Sequence, residues 1–212
     1  MYLHNFHKTW FKQRGEVVMN VKRCNNSVFL EQSLYRSDNS SIAENLWTIP
    51  VSYKTSTGQS GIFWLEEKEA RFEVISESDD KLQEWIKLNV ELSNYFVSNY
   101  SQSDWNTFSS LLATDFKQFT ELDRAELLIS SYSLAEHNLL DYGVFLNLTE
   151  YLKKEDDFVP WNTVLPLFED LLNFMQCHPL RPALAEYLID LISDAYNKVG
   201  FTKNENSSLF GE

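Results

Sequence analysis

The residues of this 212-residue chain whose types suit chemistry are four histidines, two cysteines, a serine pair and a short run of carboxylates. His4 and His7 stand three residues apart with no glutamate between them. A zinc-binding pair on one helix face needs a four-residue step and an intervening glutamate to deprotonate the bound water. His137 follows Glu136 near a helix end, which reads as a surface pair, and His178 precedes Pro179 in a turn. Ser130, Ser131 and His137 fall on one expected helix, yet no nucleophile elbow surrounds them. Glu155, Asp156 and Asp157 lack the spaced oxygen ligands of a cation loop and read as a solvated, capped helix end. Cys24 and Cys177 are too few and too far apart for a disulfide framework or a four-ligand zinc site, and are expected to be buried thiols. These residues therefore supply no catalytic group and no metal ligand.

The elements that carry them change period once. From Glu16 to Tyr100 the pattern is short and β-rich, with expected strands at 17–21, 28–34, 47–53, 62–65, 71–75, 85–90 and 95–100. Turn chemistry separates most of them, as at Asn25-Asn26, Ser37-Asp38-Asn39 and Thr57-Gly58. Regular breaks between short strands suggest a β-sandwich. Pro50 inside its strand predicts an edge or a bulge. After Ser101 the period is helical. Asp104 is an expected cap for a helix carrying Trp105, Phe108, Leu111 and Leu112.

The stretch 123–161 then reads as two short antiparallel helices and the start of a third. Leu122, Ala125, Leu128, Ile129, Tyr132 and Ala135 share one helical face, and Val144, Phe145, Leu148, Tyr151 and Leu152 share another. Asp156 and Asp157 sit where an N-cap is wanted, with Pro160 near the first helical position. Trp161, Val164, Phe168, Leu171, Leu172 and Met175 form the next seam, interrupted by Pro166, which should kink or delay the helix. A last helix is expected from about Pro182, with Leu184, Tyr187, Leu188, Leu191, Ile192 and Ala195 as its seam and Gly200 as its stop. The tryptophans stand at core-like spacing and read as packing, and no internal repeat is apparent beyond stacked helix pairs.

A net charge of -13 and a pI of about 4.7 leave no basic stripe for a phosphate backbone, which excludes nucleic acid as a partner. No apolar run approaches the roughly 20 residues a membrane span requires. The first residues, MYLHNFHKTW, lack the apolar core and cleavage site of a signal peptide. Glycosylation sequons occur at Asn25, Asn39, Asn99, Asn147 and Asn206, a hint of a secretory origin.

The same letters resemble one family. Asp123-Arg124-Ala125, Leu134-Ala135, Leu148-Thr149-x-Tyr151-Leu152-x-x-Glu155 and Pro160-Trp161 resemble the helical-domain signature of zinc aminopeptidases of the aminopeptidase N (gluzincin) family. Upstream, Thr9-Trp10-x-x-Gln13-x-Gly15 with Val17-Val18 resembles the entry to that family's small β-sandwich, and Trp47-x-Ile49-Pro50-Val51-x-Tyr53 one of its strands. Trp85-x-Lys87-Leu88-Asn89, Tyr95-x-Val97, Asn99-Tyr100 and Trp105 resemble its last hairpin and exit. The order is kept along nearly the whole chain. Departures are Ser130-Ser131 where relatives carry acidic residues, Tyr95-Phe96-Val97 with an extra Ser98 for Tyr-Arg-Val, and no proline before Val17-Val18.

The resemblance implies an α+β multidomain fold, an N-terminal small β-sandwich followed by an α-helical domain of stacked helix pairs. It divides the chain into a catalytic-domain remnant or linker at 1–9, a β-sandwich at 10–100, an incomplete helical domain at 101–201 and a frayed tail at 202–212. The family removes N-terminal residues from peptides with a zinc held by H-E-x-x-H, and reads the substrate amine with a G-A-M-E-N segment. Neither motif stands in this sequence. The implied role is the non-catalytic C-terminal part of such an enzyme, with no cofactor of its own and zinc only in the complete enzyme. Its implied partners are the catalytic half or a covering helical segment, and the peptide indirectly. The alternative is a stand-alone truncated relative acting as a binding or scaffold module. Relatives occur as cytoplasmic enzymes and as membrane-tethered ectoenzymes, so the resemblance leaves the compartment open.

Overall fold

The computed structural model describes residues 2–24, 27–35, 46–74 and 84–199. Helix α1 (Tyr2–Lys12) precedes the first strand, where periodicity alone left the chain ambiguous. Its end is pinned to the chain entering the third strand. The Trp10 indole N–H donates to the Thr48 carbonyl at 2.9 Å, and the Gln13 amide donates to the Leu46 carbonyl at 2.9 Å. Gly15 makes the turn out of α1 at φ +124°, and a β-carbon there would stand 2.4 Å from Leu34 Cδ2.

Seven strands follow among the described residues, one in each region where a β-rich run predicted one. They are β1 (Glu16–Cys24), β2 (Ser27–Tyr35), β3 (Ile49–Thr55), β4 (Ser60–Leu65), β5 (Glu69–Glu73), β6 (Ile86–Leu88) and β7 (Phe96–Asn99). They form two sheets, ordered β5-β2-β1-β7 and β4-β3-β6. Val17, Met19 and Leu30 from the first sheet and Ile49, Val51, Leu65 and Leu88 from the second are fully buried, so the core lies between the two. The expected strand at 85–90 is cut to three residues because Asn89, Glu91 and Leu92 all take positive φ. The Asn89 side chain makes that turn, donating to the carbonyls of Asn94 and Phe96 and accepting from the Asn94 amide.

Pro50 is not on an edge strand: β3 is the centre of its sheet. The short β6 pairs only with Tyr53, Lys54 and Thr55, so the flank of β3 at Pro50 is unpaired on the β6 side and no ladder bond to β6 is lost. The Pro50 carbonyl is used instead by the Asn94 side chain, at 2.8 Å.

The helices are α2 (Gln102–Asp115), α3 (Glu121–Glu136), α4 (Tyr142–Thr149), α5 (Phe158–Phe174) and α6 (Arg181–Val199). Ser101, not Asp104, caps α2: its hydroxyl accepts from the Asp104 amide at 3.2 Å, and Asp104 lies one turn inside. The predicted second helix of the 123–161 stretch splits into α4 and a 3-10 turn at Glu150–Lys154. Helix α5 runs through Pro166, which is exposed, without a break. Helix α3 is the hub of this half, packing on α4, α5, β7 and the turn at 90–92. Aromatic rings close the seam between sheets and helices: Tyr100 meets Trp105 and Phe108 edge-on at 5.1 and 5.0 Å, and Trp85 meets Phe119 at 5.0 Å.

Both cysteines are exposed and unpaired, contrary to the expectation of buried thiols. Cys24 is the last residue of β1 and Cys177 lies between α5 and α6, positions that no layer covers. No helix among the described residues is long and apolar enough to cross a membrane. The expected stop at Gly200, the tail, the turns at 25–26 and 37–39 and the sequons at Asn25, Asn39 and Asn206 lie outside the described residues.

Candidate functional site

Helix α3 begins at a side-chain N-cap, the Thr120 hydroxyl accepting from the Asp123 amide at 3.2 Å. It places two buried ionic clusters side by side. Asp123, Arg124, Glu126, Ser130 and Ser131 are all 2 % exposed or less, so after the exposed Glu121 the polar groups of the first three turns are turned inward. A charge in such a place costs several kcal/mol unless it is paired and hydrogen-bonded, at an order-of-magnitude level.

The first cluster joins the sheets to the helices. Lys87 of β6 is fully buried and its Nζ lies 2.5 Å from Glu126 Oε2 and 3.9 Å from Asp123 Oδ1. It also donates to the Leu88 carbonyl at 2.5 Å. Glu126 Oε1 accepts from the hydroxyls of Ser98 (2.7 Å) and Ser130 (2.8 Å), and Ser130 Oγ accepts from the Ser98 amide. Asp123 Oδ1 accepts from the Glu91 amide at 2.9 Å, which holds the strained turn between β6 and β7. One lysine thus faces two carboxylates, and hydrogen bonds from strand, turn and helix stabilise the surplus negative charge. Tyr100 closes the cluster. Burial, with the charges of Glu126 and Asp123, pushes its phenol well above the ordinary range, and its oxygen accepts from the Leu88 amide at 2.8 Å.

The second cluster joins helices to each other. Arg124 grips Glu155 with two parallel bonds, Nε to Oε2 at 2.7 Å and Nη2 to Oε1 at 3.0 Å, donates to the Phe119 carbonyl at 2.6 Å, and pairs with Asp157. Burial works against its charge, yet Glu155 and Asp157 hold its pKa above the ordinary arginine value. Glu155 Oε1 accepts the amides of Asp156 and Asp157, both at 3.0 Å, and its carbonyl takes the Trp161 indole N–H at 3.3 Å. Asp157 is the N-cap residue of α5, but its carboxylate goes to Arg124 rather than to the helix. Pro160 is consequently the third helical residue, not the first, and is buried.

The other residues singled out by sequence sit around these clusters as packing or as ties. Ala125 and Leu152 are fully buried, and Tyr151 is buried with its ring 5.6 Å from Phe116. Trp47 is buried and exchanges two backbone bonds with the Gln32 side chain. Trp85 is buried, whereas Tyr95 is 87 % exposed. Lys87 stood inside a quoted motif but received no role, and Glu126, Ser98 and the buried place of Ser130 were missed. One signal was available: Asp123, Glu126 and Ser130 are spaced to share a helix face, which apolar periodicity does not register.

The serines and described histidines singled out by sequence are engaged within the fold. Ser130 Oγ is committed to Glu126, and Ser131 Oγ to the Leu128 carbonyl. His137 Nδ1 contacts the Ser133 carbonyl at 3.2 Å and lies 3.9 Å from Glu136, as the expected surface pair does. His7 stacks on Phe11, and His178 Nδ1 accepts from the Leu180 amide. Among the described residues the one group of three with ligand atoms within 4.8 Å is Glu155, Asp156 and Asp157. It contains no histidine, Arg124 takes Glu155 and Asp157, and exposed Lys117 takes Asp156 at 3.0 Å. Those residues do not fit a zinc centre.

The profile of the ERAP1-like C-terminal domain family matches residues 85–210, more than half of the chain. Human glutamyl aminopeptidase is 29% identical over 216 residues, covering 96% of this chain and 22% of the relative. Aminopeptidase N of Plutella xylostella is 26% identical over 200 residues, 91% of this chain and 21% of the relative. Human aminopeptidase Q is 25% identical over 166 residues, 77% of this chain and 17% of the relative. The chain spans about a fifth of the length of the first two relatives. With its match starting at Trp85 and running through Lys87, Asp123, Arg124 and Glu155 of the two buried clusters, the chain belongs to the ERAP1-like C-terminal domain family.

Proposed function

We propose that this chain is the non-catalytic C-terminal portion of an aminopeptidase N-like zinc metallopeptidase, the sandwich (10–100) and the helices (101–201) packing on a catalytic segment. In that setting it walls the chamber that receives the remainder of the peptide, excluding bulky substrates and setting length preference by shape. The observation that carries the reading is the use of α3: its buried Asp123, Arg124, Glu126 and Ser130 side chains are spent on joining elements. The exposed apolar side chains along the α5–α6 edge, Leu165, Ile189 and Tyr196 among them, support a further covering segment. Zinc chemistry would reside in the catalytic segment. The purified 212-residue chain is expected to release no N-terminal residue from peptides. Bestatin-sensitive turnover by that chain alone would overturn the reading, and an in-frame H-E-x-x-H upstream in the same transcript would support it.

A further inference from the structure

The sequons at Asn99 and Asn147 have both the asparagine and the hydroxyl residue among the described residues, and their surroundings are opposite. Asn99, on β7, is half-buried, and its Nδ2 donates at 2.8 Å to Oδ1 of Asn20, its register partner on β1. The nitrogen that a sugar would need is engaged between two strands. Asn147, on α4, is exposed, and its side chain makes no hydrogen bond to a described residue. Thr149, which completes the sequon, is satisfied inside the fold, donating to the Leu146 carbonyl at 2.7 Å and bonded to the Tyr187 hydroxyl at 2.8 Å. Asn147 also stands at an open groove between α4, α5 and α6, lined by Tyr142, Met175 and Leu184 together with Phe174 (78 % exposed) and Leu180 (61 % exposed). Apolar side chains presented together in this way invite cover.

We propose that Asn147 is an N-glycosylation site in any compartment that performs this transfer, and that its first sugars stand over the α4–α6 groove. The co-reactant is an oligosaccharide linked to a polyprenyl pyrophosphate. Asn147 Nδ2 attacks C1 of the reducing-end sugar, the Nδ2–C1 bond forms, and the C1–O bond breaks with its electron pair leaving on the pyrophosphate. One amide proton passes to a base of the transferase. A bulky, solvated chain at this position lies beside Phe174 and Leu180 and leaves the α5–α6 edge at Leu165, Ile189 and Tyr196 open to a covering segment. This holds whether or not the chain packs on a catalytic segment, because the readout is chemical occupancy of one side chain.

The test is secretion of the full chain behind a cleavable leader from insect cells, with its peptides mapped before and after treatment with peptide-N-glycosidase F. The Asn147 peptide is expected to carry glycan, N147Q to remove one mobility step, and N99Q to remove none. Glycosylated and enzymatically stripped protein should unfold at the same denaturant concentration. An unmodified Asn147 in the secreted chain, or a step lost with N99Q and kept with N147Q, would overturn the assignment. So would a midpoint that rises on stripping, since a sugar that strains the fold does not stand in solvent.

Discussion

The junction of sheets and helices and the outer edge formed by α5 and α6 are built on opposite terms. At the junction, Lys87, Asp123 and Glu126 are buried and joined by short polar contacts, and Arg124 and Glu155 are joined in the same way between the helices beside it. At the outer edge the groove-lining side chains are largely apolar and half in water, and the described ion pair there, Lys153 with Asp190, is exposed. Apolar packing tolerates exchange of residues of similar volume, whereas a buried charge accepts only its own partner in one geometry. The contrast teaches that orientation between the halves is fixed at α3, and that the α5–α6 edge carries surface rather than specificity.

The comparison breaks first at Lys87. Lys87→Met leaves two buried carboxylates without their cation, and the urea midpoint should fall by the equivalent of about 3–5 kcal/mol. Adding Asp123→Asn and Glu126→Gln to it should recover part of that loss. An unchanged midpoint in Lys87→Met would mean that the cluster contributes nothing to the junction. Arg124→Gln should cost somewhat less, about 2–3 kcal/mol, since it removes charged hydrogen bonds but Asp157 remains partly in water. The same unfolding titration reads it.

A smaller effect is expected at high pH. Burial raises the phenols of Tyr100 and Tyr151 well above their ordinary value, with Glu126 and Glu155 respectively adding to the shift. The unfolded chain ionises its tyrosines near pH ~10 while these two stay neutral in the fold. Their contribution is therefore full below that pH and is lost as the pH climbs toward the folded values. Phenolate absorbance should show both protected until the protein unfolds, and free titration of all ten tyrosines in the native state would contradict it. The smallest effect belongs to the outer edge: Ile189→Ser should move stability by no more than about 0.5 kcal/mol. A large loss would show that side chain to be part of the core.

How much of this was legible follows from what periodicity measures. Short β-rich runs located each described strand region, because inward residues such as Val17, Met19 and Val21 must be apolar where one sheet face is buried. They overran the end of β6, since the turn there depends on the Asn89 side chain and on left-handed backbone, neither of which has a period. The caps were displaced for a similar reason: Ser101, Asp104, Asp156 and Asp157 are all good capping types, and only geometry chooses among them. The cysteines misled because a small apolar side chain is buried on average, while Cys24 and Cys177 fall at element ends. Lys87 and Glu126 were the hardest to read. A buried charge and a solvated one are the same letter, and the partner that makes burial tolerable lies on another element, 39 positions away for this pair.

The claim on which the account rests is that α3 makes one body of the two-sheet lobe and the helices. Urea unfolding followed at once by hydrogen exchange of β1 and α5 amides tests it most directly. The account predicts a single coincident transition for both sets in the natural chain. Protection lost from the strands at a lower urea concentration than from the helices, with Lys87 and Glu126 unchanged, would contradict it.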